Sequence, residues 1–272
     1  MAIALVMILG GGAAGLFGSL LGLGGGVLIV PLLTLGFGLP VREAVGVSLV
    51  SVIVTSGASA GIYLQRQVAN LRLGMTLELF TAAGALIGGL IAFFVSDRML
   101  AGLFAALLLY VSFSMARTRS RDVTEPGLAT ASPTASAGFQ HALGGPGYSI
   151  SRLRWGLVGS VGAGVVSALL GIGGGLVKVP VMHLVMGVPL RVATATSNLM
   201  IGITASTSAI IYLLRGGIDA YVAGLTALGV FVGASVGSRV APRVDLRLLR
   251  LLFIVVLLYT SFQMARRALG VG

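Results

Sequence analysis

Long apolar stretches separated by short polar segments run along almost the whole chain. Six of them approach or reach the roughly 20 residues that an α-helix needs to cross the hydrocarbon layer of a bilayer. They cover residues 44–64, 73–95, 99–116, 192–214, 221–240 and 248–265. The pattern predicts transmembrane helices. Two further apolar segments, 2–38 and 155–187, are longer and are each interrupted by glycines.

The whole pattern occurs twice. A shift of 149 residues (164 minus 15) aligns residues 15–117 with 164–266 without a gap, and about two in five aligned positions are identical. The block GLGGGVLIVP at 22–31 matches GIGGGLVKVP at 171–180. The sequence therefore predicts two membrane repeats, residues 1–117 and 154–272.

Residues 118–153 separate the two repeats. The segment is rich in Ser, Thr, Pro, Gly and Ala, lacks helical periodicity and carries arginines at its start and end. We expect a flexible basic linker, with His141 as a bystander within it.

Each glycine-interrupted segment is too long for one crossing. Residues 155–187 would form a helix of about 50 Å against a hydrocarbon core of about 30 Å. Glycines at 171–175 and 22–26 divide the two segments into halves that we expect to be too short to span. A re-entrant pair of half-helices fits this pattern, and it leaves three transmembrane helices in each repeat. The predicted fold is an all-α integral membrane protein of two inverted-topology repeats.

Charge supports the inverted arrangement. If the linker is cytoplasmic, inversion also places a cluster of four arginines on the cytoplasmic side, as the positive-inside rule requires. A full crossing by the broken segment would place the cluster outside. The cluster consists of Arg239, Arg243, Arg247 and Arg250. We expect a multi-pass protein of the cytoplasmic (inner) membrane.

Composition narrows the function classes. The 272 residues are 57% hydrophobic and 9% charged, with a mean hydropathy of +1.06, whereas soluble domains are roughly 25% charged. The net charge of +11 lies at the ends of apolar segments and not on one polar face, so we expect no nucleic-acid binding. With no cysteine and two well-separated histidines, we expect no metal, no cofactor and no enzyme activity.

A glycine break followed at once by a helix presents backbone N–H groups and the positive end of the helix dipole, which favour an anion. Pro31 and Pro180 lack the donor for the carbonyl four residues back and loosen each second half-helix. Close packing of small residues is the alternative for any single glycine. The candidate anion-binding glycines are Gly24, Gly25, Gly26, Gly173, Gly174 and Gly175.

Three ionisable residues fall near or within the apolar segments. Lys178 follows the second break where the first repeat has Ile29, and it predicts contact with an anion unless it snorkels to an interface. His183 either binds substrate or a proton, or caps the half-helix. Glu78, whose counterpart is Ala227, is a candidate proton site unless its carboxylate reaches the interface.

Hydroxyl side chains spaced three or four residues apart share one helix face in both repeats, where they either line a polar path or bond their own helix. They are Ser48, Ser51, Thr55 and Ser59, then Ser197, Thr204 and Ser208, with Thr194 and Asn198 extending the second set. Of these, we expect Ser48, Thr55, Thr194, Ser197, Asn198 and Thr204 to contact the substrate.

The spacings Gly84-xxx-Gly88 and Gly233-xxx-Gly237 let two helix backbones approach closely. They serve either the interior of the bundle or a homodimer interface.

GxGGG followed five residues later by Pro, twice, in a small glycine-rich polytopic chain with a central hydrophilic linker, resembles the sulfite exporter TauE/SafE family. The resemblance covers nearly the whole chain outside the linker, on Gly24, Gly25, Gly26 and Pro31, then Gly173, Gly174, Gly175 and Pro180. It implies secondary transport of sulfur-containing anions such as sulfite and small organosulfonates.

We therefore predict a secondary transporter for a small sulfur-containing anion, bound between the half-helix N-termini near the midplane. Lys178 and the hydroxyls would neutralise the oxyanion, while Glu78 or His183 would couple protons. A passive small-anion channel uses the same features without alternating access and is the alternative.

Overall fold

The computed structural model describes residues 2–21, 25–65, 69–117, 143–144, 148–240 and 246–270. The regular elements of these residues are helices. In chain order they are α1 Ala2–Leu21, α2 Gly26–Pro31, α3 Val41–Gln65, α4 Leu71–Ala92, α5 Asp97–Arg117, α6 Leu153–Leu170, α7 Gly175–Pro180, α8 Leu190–Leu214, α9 Ala220–Val240 and α10 Leu246–Ala268. Most of the predicted linker lies outside the described residues.

The six predicted spans coincide with α3, α4, α5, α8, α9 and α10. Seven of the described helices are long and apolar enough to cross a membrane: α1, α4, α5, α6, α8, α9 and α10. Large apolar side chains such as Met75, Leu79 and Leu214 are more than two-thirds exposed, as expected of a surface solvated by lipid. The chain is a multi-pass membrane protein.

One expectation about the broken segments is wrong. The first halves, α1 and α6, contain 20 and 18 residues, or about 30 and 27 Å of helix, and are long enough to span. Only the second halves are short. The glycines inside α1 and α6 do not end these helices, and neighbouring backbones pack against several of them, among them Gly11 and Gly15 of α1 and Gly164 of α6.

The two halves of each broken segment fold back on one another as a hairpin. A Cβ added at Gly159 of α6 would lie 2.9 Å from Val181, just beyond α7. At the open end of this hairpin, the Ser151 amide donates to the Met186 carbonyl at 3.0 Å. In the first copy, a Cβ at Gly10 would lie 2.9 Å from Leu32. Each second half therefore returns toward the end at which its first half begins.

Each short helix continues into a π-helical turn directly after its proline. These turns are Leu32–Gly36 after α2 and Val181–Val185 after α7. The proline has no N–H to donate, so the regular bond to the carbonyl four residues back is absent, and the ladder shifts to the wider i→i+5 spacing. The sequence indicated the loosening but not the π geometry.

The Gly-xxx-Gly pairs pack inside this one chain. Gly84 of α4 lies against the Val161 carbonyl of α6, and Gly88 lies against that of Val165. The residue numbers rise together, so the two helices run parallel. In the same way, Gly233 and Gly237 of α9 lie against α1. Each hairpin is therefore packed on a helix of the other copy.

Equivalent helices of the two copies pack antiparallel. On α3 and α8, the Ser56 hydroxyl donates to the Asn198 carbonyl at 3.1 Å, while Gly46 lies close to Tyr212. On α5 and α10, the Ser261 hydroxyl donates to the Ala105 carbonyl at 2.9 Å. Along α3 and α8, the numbers of the contacting residues rise on one helix as they fall on the other, so these two helices run antiparallel.

Candidate functional site

The two glycine breaks lie against each other in the interior. The Ser48 hydroxyl of α3 donates to the Gly171 carbonyl at 2.7 Å and lies 3.3 Å from the Gly26 carbonyl. A Cβ at Gly26 would lie 2.6 Å from the Gly171 oxygen, so this approach requires glycine. Gly24 lies outside the described residues. Ser48 thus contacts both breaks.

Glycine is also required by backbone conformation at the entrance to each short helix. Gly25 and Gly174, which immediately precede α2 and α7, have φ of 75° and 77°, and Gly173 has φ of 73°. These values lie in the left-handed region that side chains with a Cβ rarely adopt. The motif thus encodes a reversal of the chain direction as well as close packing.

A cavity of about 250 Å³ opens beside the second break. Four predicted site residues line it, namely Gly175, Thr194, Ser197 and Asn198. Its remaining wall comes partly from α5 of the first copy, including Tyr110 and Ser114, and partly from apolar side chains, including Val111, Met115, Leu176 and Ile201. Both copies therefore contribute to one partly polar cavity.

Two buried hydroxyls beside the second break have no hydrogen-bond partner in the described part of the chain. They belong to Ser197 of α8, which is 1% exposed, and Ser167 of α6, which is fully buried. A Cβ at Gly175 would lie 3.5 Å from Ser197 Oγ, and one at Gly174 would lie 3.3 Å from Ser167 Cβ. A third such hydroxyl belongs to Thr226 of α9, which lies against α1 and away from the second break. Beside the break, Ser167 and Ser197 offer two buried donors to an acceptor group.

Ser167 was not predicted as a site residue. The first copy has Gly18 at the equivalent position, so the hydroxyl does not recur in the repeat. The available signal was its place seven residues before Gly174, on a helix that leads into the break. Only the fold of the hairpin brings it beside Gly174.

Most other hydroxyls of the predicted stripe bond their own helix. Thr55 donates to the Ser51 carbonyl at 2.8 Å, Thr194 to that of Leu190 at 2.9 Å, and Ser208 to that of Thr204 at 3.1 Å. Such bonds use the donor locally. The stripe is therefore unequal: Ser48 bonds across the copies, Ser197 is unpartnered, and Ser51, Thr55 and Ser208 are satisfied within their helices.

Lys178 and Glu78, which the sequence suggested as separate candidates, contact each other. Lys178 Nζ lies 3.0 Å from Glu78 Oε2, and these residues are 2% and 4% exposed. The Thr204 hydroxyl contacts the ammonium and donates to Glu78 Oε1 at 2.6 Å. The lysine charge is thus compensated inside the protein, and neither side chain snorkels to an interface.

His183 lies apart from this cluster. Its side chain is exposed, and Nδ1 lies 2.9 Å from the Val188 carbonyl oxygen beyond the π-helical turn. That contact joins the end of the π-helical turn to the loop that follows it. Among the residues that the structure describes, no group of three or more His, Asp or Glu side chains is arranged to hold a metal.

Comparison with known proteins identifies the family. The sequence model described as Sulfite exporter TauE/SafE matches residues 7–264. The chain belongs to the sulfite exporter TauE/SafE family. No solved structure gives a significant match.

Relatives of this TauE/SafE chain carry transporter names. It is 25% identical over 267 residues to Probable membrane transporter protein YunE of Bacillus subtilis, covering 95% of this chain and 96% of the relative. It is 26% identical over 263 residues to Probable membrane transporter protein MJ0441 of Methanocaldococcus jannaschii, covering 91% and 90%. A shorter match of 82 residues, 42% identical, covers 30% of this chain and 18% of Sulfite exporter TauE/SafE family protein 1 of Arabidopsis thaliana.

Proposed function

We propose that this protein is a secondary transporter that moves a small sulfur-containing anion, sulfite or a C2–C3 organosulfonate, across the cytoplasmic membrane. The observation that carries the proposal is the pair of buried, unpartnered hydroxyls of Ser167 and Ser197 on either side of Gly174–Gly175. The family and the transporter names of its relatives support the transport class and the sulfur chemistry.

The hydroxyls suit an oxyanion because each can donate to one of its oxygens. The Gly175 and Leu176 amides at the start of α7 precede the first amide that donates to the Gly174 carbonyl, that of Val177, and add donors to the site. Asn198 and Thr194 extend the polar wall, while Leu176 and Ile201 offer an apolar wall for the carbon chain of a sulfonate. While Lys178 remains paired with Glu78, as it is in this conformation, hydrogen bonds provide the first contacts to the anion.

Alternating access requires two halves that exchange roles, and inverted repeats supply them. The antiparallel packing of α3 on α8 and of α5 on α10 supports inversion, because a two-fold axis in the membrane plane reverses equivalent helices. The folded-back hairpins of α1–α2 and α6–α7 support a re-entrant path for each broken segment. Rocking of one copy against the other would expose the cavity alternately to the two sides.

The test is uptake of radiolabelled sulfite and of a radiolabelled C2 sulfonate into liposomes that contain the purified protein. Ser197→Ala removes a hydroxyl donor that has no partner in the described structure. Ser208→Ala, at a buried position on the same helix, is the matched control, because its hydroxyl donates to the backbone of its own helix. A hydrogen bond to a charged group contributes about 1.5–3 kcal/mol, so we expect KM to rise about tenfold or more in Ser197→Ala only. Absence of flux for both anions contradicts the proposal.

The same liposomes separate a transporter from a passive channel. A transporter exchanges labelled for unlabelled anion, so unlabelled anion trapped inside accelerates the entry of label. A channel shows no such counterflow and instead gives unitary currents in planar bilayers. Counterflow without unitary currents is the expected result.

A further inference from the structure

The buried polar cluster of Lys178, Glu78 and Thr204 exists in one half of the molecule only. The 149-residue shift places Ile29 at the position of Lys178 and Ala227 at that of Glu78. Ile29 is fully buried, and Thr55, the counterpart of Thr204, bonds its own helix. The first copy therefore builds the same short helix without a charge.

This internal comparison bears on why the ion pair is present. Removing two charges from water is costly, and well-packed apolar side chains of similar volume often replace a buried ion pair without loss of stability. The equivalent pair of positions, Ile29 with Ala227, contains such a replacement. The Glu78–Lys178 pair is therefore not a requirement of the fold, and ionisable groups inside a membrane protein are by default candidates for function.

The pair lies next to the candidate substrate site and joins the two copies. Lys178 is on α7, whose residues Gly175, Leu176 and Val179 line the cavity, whereas Glu78 is on α4 of the first copy. A Cβ at Gly174 would lie 3.3 Å from both Lys178 Cε and Ser167 Cβ. The lysine stem thus passes beside the unpartnered Ser167 hydroxyl.

The remaining described titratable groups on the surrounding helices do not share this interior site. They lie toward helix ends or on the exposed surface, apart from Tyr212, which is buried and donates to the Ala168 carbonyl. These groups are Arg72 on α4, the exposed cavity-lining Tyr110 on α5, Arg152 and Arg154 at the start of α6, His183 after α7, and Tyr212 and Arg215 at the end of α8. The side chain of Arg191 is not described.

We propose that Glu78 and Lys178 form the proton site that couples anion movement to proton movement, one proton per singly charged anion. When an anion occupies the break, the Lys178 ammonium turns from Glu78 to the anion, and the freed carboxylate accepts one proton from water. The anion and the proton enter together, so the buried site has no net charge before or after. Without the proton, an uncompensated carboxylate would remain in a medium of low dielectric constant.

This inference rests on the proposed function, and the experiment separates the two. Proteoliposomes containing the full chain and a pH-sensitive dye are used to measure uptake of the sulfonate, its counterflow and the accompanying proton movement. For the unmodified protein we expect one proton per sulfonate, and accumulation of sulfonate driven by an imposed pH gradient. Net sulfonate uptake with no accompanying proton movement overturns the coupling proposal alone, whereas no sulfonate or sulfite flux at all overturns both.

Two variants and one control localise the proton. Glu78→Gln keeps the shape of the side chain but not its titration, and Lys178→Ile with Glu78→Ala reproduces the residues at the equivalent positions, Ile29 and Ala227. In each we expect proton movement with the sulfonate to be lost and gradient-driven accumulation to fall at least tenfold. Counterflow continues in Glu78→Gln and has a higher KM in the double variant, which lacks the ammonium that meets the anion. Asp97→Asn, an exposed acid at the start of α5, should accumulate sulfonate as the unmodified protein does. Undiminished accumulation in the double variant overturns the coupling proposal. The double variant also serves as the test if Glu78→Gln fails to fold.

Discussion

Asn70 Nδ2 donates a hydrogen bond of 2.7 Å to Tyr148 Oη and another of 2.7 Å to the Leu143 carbonyl. Its Oδ1 accepts from the Leu73 amide at 3.1 Å and so caps α4. The equivalent residue of the second copy, Asp219, caps α9 through the Tyr221 and Val222 amides but has no donors. The amide at Asn70 therefore adds an anchor for the end of the segment between the copies.

Asn70→Asp separates the two roles of this residue. Aspartate keeps the cap, as Asp219 does, but cannot donate to Tyr148 or Leu143. We expect a loss of about 1–3 kcal/mol in the free energy of unfolding, measured by denaturant titration in detergent micelles. Asn70→Ala also loses the cap and should cost about 1 kcal/mol more. Equal stability of Asn70→Asp and the unmodified protein would contradict the anchoring role.

Tyr148 gives the anchor a pH dependence. Burial raises the pKa of its phenol above the ordinary value near 10, while the hydrogen bond from Asn70 opposes the shift. The folded state holds the phenolic proton of Tyr148 more tightly than the unfolded state does. The contribution of this phenol to stability is therefore fully present below about pH 10 and is lost as pH rises through the pKa of the folded state. Tyr148→Phe should therefore show a smaller fall in melting temperature between pH 9 and 11. Tyr221→Phe, at an exposed site, serves as the control.

Ser48→Ala tests the contact between the two breaks. Removal of the hydroxyl takes a donor from the buried Gly171 carbonyl, so we expect a loss of about 1–3 kcal/mol in unfolding free energy. Ser51→Ala, three residues away and equally buried, removes only a bond to its own helix and should cost less. Equal losses of unfolding free energy in the two variants would show that the hydrogen bond to Gly171 stabilises the protein no more than a bond within one helix.

Gly84→Ala tests the close packing of α4 on α6. The added methyl meets the Val161 carbonyl, which belongs to the backbone and cannot rotate away. Overpacking of this kind costs about 1–3 kcal/mol or more, so we expect a lower melting temperature and a lower yield of folded protein. Gly162→Ala on the facing helix meets open space and gains helix propensity, and should be neutral or stabilising. A Gly84→Ala protein of unchanged melting temperature would refute the packing argument.

The helices of the fold were predictable because length and apolar content suffice to define a span. The 149-residue repeat also fixed which elements correspond. The lengths of α1 and α6 were not predictable in the same way, because a glycine inside an apolar segment looks the same whether it breaks a helix or lets another backbone approach. Gly164 lets the backbone of α4 approach, and only the packed structure shows it.

The sequence predicted several residues of the candidate site, but not which of them contact each other. Ser197 and Gly175 follow from the repeated motif and line the cavity. The contact between Glu78 and Lys178 joins residues at non-equivalent positions of the two copies, so the repeat gives no indication of it. Hydroxyls at one helix face likewise look equivalent in sequence, and whether each bonds its own carbonyl or a neighbour depends on side-chain rotamers that tertiary contacts select.

The packing of α1 on α9 has a consequence for biosynthesis. The partner of α1 begins at Ala220, which is synthesised 199 residues (220 minus 21) after α1 ends. During translation the glycine-lined face of the first helix therefore has no native neighbour until nearly the whole chain has entered the membrane. Docking of the first hairpin on α9 is thus a late event that follows insertion, and a ribosome-bound chain truncated before residue 220 should leave that face accessible to chaperones or to other membrane segments.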